Sequence, residues 1–182
     1  MTSSTTPKPE DTIRKAVIDT GPLFSALTLH YAFREEDFGR PPRLNLGLEE
    51  PLLTKSAQLA FLELMRSIPD KLTTSHAVAE LHNLERSRLK LYSPALEIFW
   101  QTSVSLLRDW HLDERLVQLL EIAAQQGLAP LIPDIGLVDT GLIELARRNE
   151  CVLITQDERT LARRAWELGV DCRLVKQLIS IA

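Results

Sequence analysis

Cysteine is scarce: Cys151 and Cys172 are the only two in 182 residues. Two thiols make neither a disulfide framework nor a four-cysteine zinc site. No apolar run reaches the ~18 residues that a membrane span needs. The first ten residues, Met1 to Glu10, are polar and hold no apolar core of the kind found in secretory signals. The expectation is a reducing, cytoplasmic setting. Positive charge is not in excess either: 21 basic against 25 acidic residues leaves −4. That removes bulk attraction to a polyanion. A nucleic-acid function would need locally placed charge, with metal ions to offset the acidic residues.

What is present is the balance of a globular chain, 45% hydrophobic and 25% charged. At ~150 residues per domain the length fits one domain. Residues 1–14, with Pro7 and Pro9, read as a disordered tail. Residues 15–182 read as the domain, with an insertion at about 30–50 that holds Gly39, Pro41, Pro42, Gly47 and charges of both signs.

Short apolar runs alternate with amphipathic ones. Lys15-Ala-Val-Ile-Asp19 reads as a buried strand, and Pro22 suits the first turn of a helix from Leu23 to Leu29. A helix follows from about Pro51 to Ser67, then a strand at Leu72-Thr73-Thr74. Ser75 caps a helix from His76 to Leu89. The segment from Ala95 to Trp110 fits strand or helix. Asp113 caps a helix over Glu114–Gln126 that Gly127 stops, with Leu116, Val117, Leu120 and Ala124 on one face. Pro130 and Pro133 bracket a turn, and Asp139 to Asn149 reads as helix. Cys151-Val-Leu-Ile-Thr155 is the clearest strand. A helix from Asp157 to Leu168 and a last strand from Cys172 to Val175 complete the chain. The alternation implies an α/β fold, a three-layer α/β/α sandwich around a largely parallel sheet.

In such sheets ligands bind at the carboxyl ends of the strands. Asp19 ends the first strand, and Asp157 follows the clearest one. Glu80 lies one turn into the helix after Leu72–Thr74, and Asp139 near the start of the helix that feeds the Cys151 strand. Any one of them alone is what a helix cap provides. Four carboxylates gathered at one edge would repel, and a hard divalent cation such as Mg²⁺ or Mn²⁺ is what relieves that repulsion.

The local motifs are more specific. Val17-Ile-Asp-Thr-Gly-Pro-Leu23, Thr73-Thr-Ser-His-Ala-Val-Ala-Glu-Leu81, Gly136-Leu-Val-Asp-Thr-Gly-Leu-Ile143 and Val152-Leu-Ile-Thr-Gln-Asp157 resemble, in order, the four acidic motifs of PIN-domain ribonucleases. The resemblance spans about residues 15–175. It implies a central parallel sheet between helices. It also implies a pocket of Asp19, Glu80, Asp139 and Asp157 that holds Mg²⁺ or Mn²⁺, with Thr155 as the hydroxyl residue two before the last Asp. The implied activity is metal-dependent endoribonucleolysis, in-line hydrolysis of an RNA phosphodiester that leaves a 5′-phosphate and a 3′-hydroxyl. Small single-domain members are often toxins of bacterial toxin–antitoxin pairs, which implies an antitoxin protein as partner and a homodimer. The alternative is a catalytically inactive RNA- or protein-binding module that kept the fold. The stretch 30–50 is longer than in minimal members of that family, and its expected place is the mouth of the pocket.

Other candidates carry less. His76 and Glu80 are spaced i, i+4, but the second histidine and intervening base of a zinc protease helix are missing. Asp134 reads as a turn or cap residue rather than an outer ligand. The arginine pairs at 147–148 and 163–164, with Arg86, Arg88 and Lys90, read as solvated helix faces and are the only candidates for phosphate contacts. Trp100, Trp110 and Trp166 read as core or interface anchors. Asp19-Thr-Gly lacks the second Asp of a haloacid-dehalogenase phosphatase, and no glycine-rich phosphate loop occurs.

Overall fold

The computed structural model describes residues 13–39, 52–125 and 127–180. Five strands form one sheet in the order β3-β2-β1-β4-β5, and every pairing is parallel. They are β1 (Lys15–Ile18), β2 (Asp70–Thr74), β3 (Asp113–Arg115), β4 (Val152–Thr155) and β5 (Cys172–Leu174). The helices are α1 (Thr20–Asp37), α2 (Lys55–Ser67), α3 (Ser75–Leu84), α4 (Ala95–Asp109), α5 (Leu119–Ala124), α6 (Ile132–Arg148), α7 (Arg163–Glu167) and α8 (Val175–Ile179). The sheet is therefore wholly parallel, and the α/β/α sandwich is the observed architecture.

Alternation along each strand splits the core in two. Ala16, Ile18 and Ile154 face a cluster with Leu23, Leu27, Phe61, Met65, Phe99 and Val175, so α1, α2, α4 and α8 cover one side. Val17, Leu72, Leu153 and Cys172 face Ile122, Leu142, Ile143 and Ala165, so α5, α6 and α7 cover the other. Strands buried on both faces have to be apolar throughout, which is why Ala-Val-Ile and Val-Leu-Ile read so clearly.

Three local expectations are corrected, and one that fitted either strand or helix is settled. First, α1 does not stop at Leu29 but continues through Asp37. Tyr31, Ala32 and Glu35 are buried along it, and Arg34 donates to Thr102 Oγ1 on α4 (2.7 Å). Charges at 34–37 that read as loop thus belong to a helix whose buried side decides its length. The rest of the 30–50 stretch, from residue 40, lies outside the described residues, as does most of the expected tail.

Second, Asp113 does not cap a helix. Asp113–Arg115 is a short edge strand that pairs with Leu72–Thr74, and the helix begins only at Leu119. Charged side chains on a short edge are a common guard against further pairing, and they hide the strand from a search for apolar runs. Leu116 and Leu120 are mostly exposed instead of lining one buried face. Third, the segment from Ala95 is all helix, closed against α1 by Phe99 and Leu106. Fourth, Thr74 rather than Ser75 caps α3, its Oγ1 accepting from the Ala77 N–H (3.1 Å).

Gly136 interrupts α6 with φ 84° and ψ 169°, a region that only glycine occupies without strain. The helix restarts beyond it, with the Thr140 hydroxyl donating to the Gly136 carbonyl (2.6 Å). Asp139 thereby falls in the first turn of the restarted segment. A Cβ added at Gly136 would meet nothing within 4 Å, so the cost of substitution is conformational alone. Gly136→Ala is expected to lower stability by about 1–3 kcal/mol, read as a reduced urea midpoint. Gly127→Ala also meets nothing within 4 Å and has no left-handed φ, so it is expected to stay within about 0.5 kcal/mol of the parent.

Candidate active site

The carboxyl ends of β1 and β4 lie side by side, with the Asp19 N–H donating to the Ile154 carbonyl (3.0 Å). Asp19 caps α1: its Oδ1 accepts from the Thr20 N–H (2.6 Å). Its Oδ2 accepts from the Thr155 hydroxyl (2.7 Å). That hydroxyl in turn accepts the Asp157 N–H (2.9 Å). The Thr20 hydroxyl donates to Glu80 Oε2 on α3 (3.0 Å). One hydrogen-bonded chain therefore runs from Asp157 through Thr155 and Asp19 to Thr20 and Glu80. Thr155 is fully buried and Asp19 nearly so, whereas Glu80 is exposed. Asp139 is half-buried and, among the described residues, makes no side-chain hydrogen bond.

Charge follows from this crowding. Burial pushes the Asp19 carboxyl up to about 6; the Thr155 and Thr20 hydrogen bonds oppose the rise, and the Glu80 and Asp157 carboxylates add to it. Burial pushes Asp139 up to about 7, reinforced by Asp19, Glu80 and Asp157. Like charges that share a site disfavour one another's ionisation. Among the described residues no Lys, Arg or His comes within 4.0 Å of any of the four carboxylates. The edge therefore carries uncompensated negative charge.

Asp157 differs from Asp19 and Asp139. Burial raises its carboxyl, but hydrogen bonds from the Thr160 hydroxyl and from the Thr160, Leu161 and Arg159 N–H groups outweigh that and hold it below the ordinary carboxylate range. Both of its oxygens are engaged by this cap. Asp157 thus serves the helix start as well as the pocket's charge. Among the described residues no three His, Cys, Asp or Glu side chains converge on a single ion position as they stand. Among the described residues Glu80 is held only by the Thr20 hydroxyl and Asp139 makes no side-chain hydrogen bond, so rotation of these two side chains is little restrained. An all-oxygen donor set short of cations suits a hard divalent ion.

The remaining candidates resolve as structure. His76 Nε2 lies 3.3 Å from the Val117 carbonyl and ties α3 to the chain after β3. Asp134 is ion-paired with Arg164 (2.5 Å) and Arg163 (3.6 Å). Arg147 and Arg148 both hold the buried Glu144. These arginine pairs, read as candidates for phosphate contacts, are occupied internally. Trp110 is buried, while Trp166 stays partly exposed and donates to the Cys172 carbonyl (2.7 Å). Two positions gained a role that sequence reasoning had not assigned. Thr20 links α1 to Glu80, and Gln156 donates to Ser25 Oγ (3.2 Å) beside Gly21, where a Cβ would meet Gln156 Oε1 at 3.1 Å. The signal for Thr20 was its hydroxyl next to the capping Asp19.

The sign of the pH dependence differs between these groups. Asp19 and Asp139 bind their protons more tightly when folded, so the metal-free protein loses stability as pH rises from about 4 to about 7. A shift the size of that at Asp19 is worth at most about 3 kcal/mol. Asp157 acts oppositely, since its depressed value adds stability above the ordinary carboxylate range that is lost as pH falls through the folded value. Asp19→Asn is therefore expected to flatten the loss between pH 4 and 7 in urea titrations, with native circular dichroism retained. Asp157→Ala is expected to lower stability by about 1–2 kcal/mol at pH 7 through loss of the cap. An unchanged pH profile for Asp19→Asn would mean that its carboxyl is not held protonated by the site.

No protein-family model matches the chain, and no curated protein matches it significantly.

Proposed function

We propose that this chain is a metal-dependent endoribonuclease of the PIN-domain type. The observation that carries the reading is the position of Asp19, Glu80, Asp139 and Asp157 around the carboxyl edge of β1 and β4, coupled in charge and, among the described residues, without a cation partner. Asp19, Glu80 and Asp139 would hold Mg²⁺ or Mn²⁺, with Asp157 adding charge from its capping position. A divalent ion bound there lowers the pKa of a bound water and offsets charge on a scissile phosphate.

The chain's own residues then have separable tasks. Thr155 fixes the orientation of Asp19 by donating to Oδ2, leaving Oδ1 on the Thr20 N–H. Thr20 restrains Glu80 toward the same edge. Asp139, whose proton affinity is raised in the metal-free chain, would release that proton on taking up the ion. Helix α1 starts at Asp19, so its N-terminal dipole faces the pocket and partly offsets the carboxylate charge. An antitoxin-type protein partner, a homodimer and a cytoplasmic location belong to the same proposal. Among the described residues no helix is long and apolar enough to cross a membrane.

One observation favours a second reading. Both oxygens of Asp157 are taken by its cap, which is what a non-catalytic RNA- or protein-binding relative of the fold would tolerate. Cleavage of a mixed RNA pool decides between them. The expected result is cleavage in Mn²⁺ or Mg²⁺, none in EDTA, and a loss of at least about a hundredfold in Asp19→Asn and Glu80→Gln. RNA left intact in every metal tested, with the fold native, would overturn the nuclease reading, and retention of labelled RNA by the same protein would favour the binding module.

A further inference from the structure

At the end of α3 the helix widens into a single π-helical turn, Glu85–Leu89, a feature that recurs at functional sites. Its first residue, Glu85, is 1% exposed, yet its Oε2 has no hydrogen-bond partner. Among the described residues no cation pairs with it. Glu144 is equally buried but is held by two arginines. A buried carboxyl without a donor is costly, and such groups call for an explanation.

Glu85 lines a cavity of about 530 Å³, within the range of small-ligand sites. Arg86 and Lys90 line it too, and neither is ion-paired among the described residues. Tyr92 beside them is 82% exposed. His82 forms another part of the wall, its ring 6.0 Å from that of Trp100. An acceptor-only carboxylate, two free cations and an open aromatic face are together the complement of a nucleotide. Single-stranded RNA is read in this way, by stacking on aromatic rings and hydrogen bonds to base edges.

We propose that this cavity is a base-reading subsite for one guanine nucleotide of the RNA substrate. With its side chain turned from its buried position into the cavity, the Glu85 carboxylate accepts from guanine N1–H and the exocyclic amino group, Arg86 and Lys90 take the phosphate, and Tyr92 stacks on the base. Guanine is the base that presents two adjacent N–H donors on its pairing edge. Adenine and cytosine set one amino group beside an acceptor, and uracil sets one N–H between two carbonyls. The proposal rests on the reading of the chain as acting on RNA. Glu80 and Glu85 lie on one helical run, about 7.5 Å apart along its axis and about 140° apart around it, so a strand that reaches both has to pass around the helix.

The test is isothermal titration of GMP, AMP, CMP and UMP into the full-length protein in EDTA. GMP is expected to bind at least about tenfold tighter than the others. Glu85→Gln replaces an acceptor by a donor and is expected to weaken GMP by about tenfold or more. Tyr92→Ala, at a side chain too exposed to hold the fold, is expected to weaken all four together. Arg86→Ala is expected to weaken GMP but not guanosine. Equal affinity for the four nucleotides, no saturable binding, or GMP affinity unchanged in Glu85→Gln overturns the subsite. The assay reads binding without metal. GMP binding without RNA cleavage in any metal would therefore support the subsite and sink the nuclease, and cleavage without GMP binding would do the reverse.

Discussion

Repulsion among carboxylates at one edge of a parallel sheet is the constraint on which the rest of this molecule's chemistry depends. Asp19 and Asp157 follow neighbouring strands, and Glu80 and Asp139 reach the same edge from helices on opposite layers. A fold that needed only helix caps there would not place Asp139 half-buried without a donor. The cost shows in the proton affinities of Asp19 and Asp139. Threonine hydroxyls limit it: Thr155 and Thr20 each bring a donor to a carboxylate where no cation stands. The helix dipole of α1 and the N–H groups at the Asp157 cap act in the same direction.

Cations elsewhere are used differently. Arg147 and Arg148 neutralise Glu144, and Arg163 and Arg164 hold Asp134, so much of the basic charge is spent inside the domain. With an overall charge of −4, little is left to draw in a polyanion at long range. On the proposed reading, affinity for RNA would have to come from bound metal and from cations such as Arg86 and Lys90, which have no ion-pair partner among the described residues. The contrast between Glu144 and Glu85, both buried, sharpens this division: one is satisfied within the chain and the other is not.

A parallel sheet was legible because strands buried on both faces must be apolar, and Val17-Ile18 and Val152-Leu-Ile154 have no other use; its strand order was not. The places of Asp19, Asp139 and Asp157 at strand ends or first turns, and of Glu80 one turn into a helix, were legible because the neighbouring apolar residues define those contexts. Other features leave no trace in the local pattern. The edge strand Asp113–Arg115 is made of charged residues, and its pairing with β2 is a tertiary event. Helix α1 runs through 30–37 because α4 packs on it, which charges at 34–37 do not announce. The double duty of Asp157 depends on Thr160 and on how the chain turns after it, and a cap and a ligand look alike in sequence.

The proposed cation site rests on these carboxylates, and metal binding reads it without any assumption about substrate. The experiment is calorimetric titration of Mn²⁺ into the metal-free protein at pH 7.5, with Asp19→Asn and Glu80→Gln in parallel. Saturable binding of one or two ions to the parent is expected, with at least about tenfold weaker binding in each variant. Absence of saturable binding, or binding of equal strength in all three proteins, would contradict it.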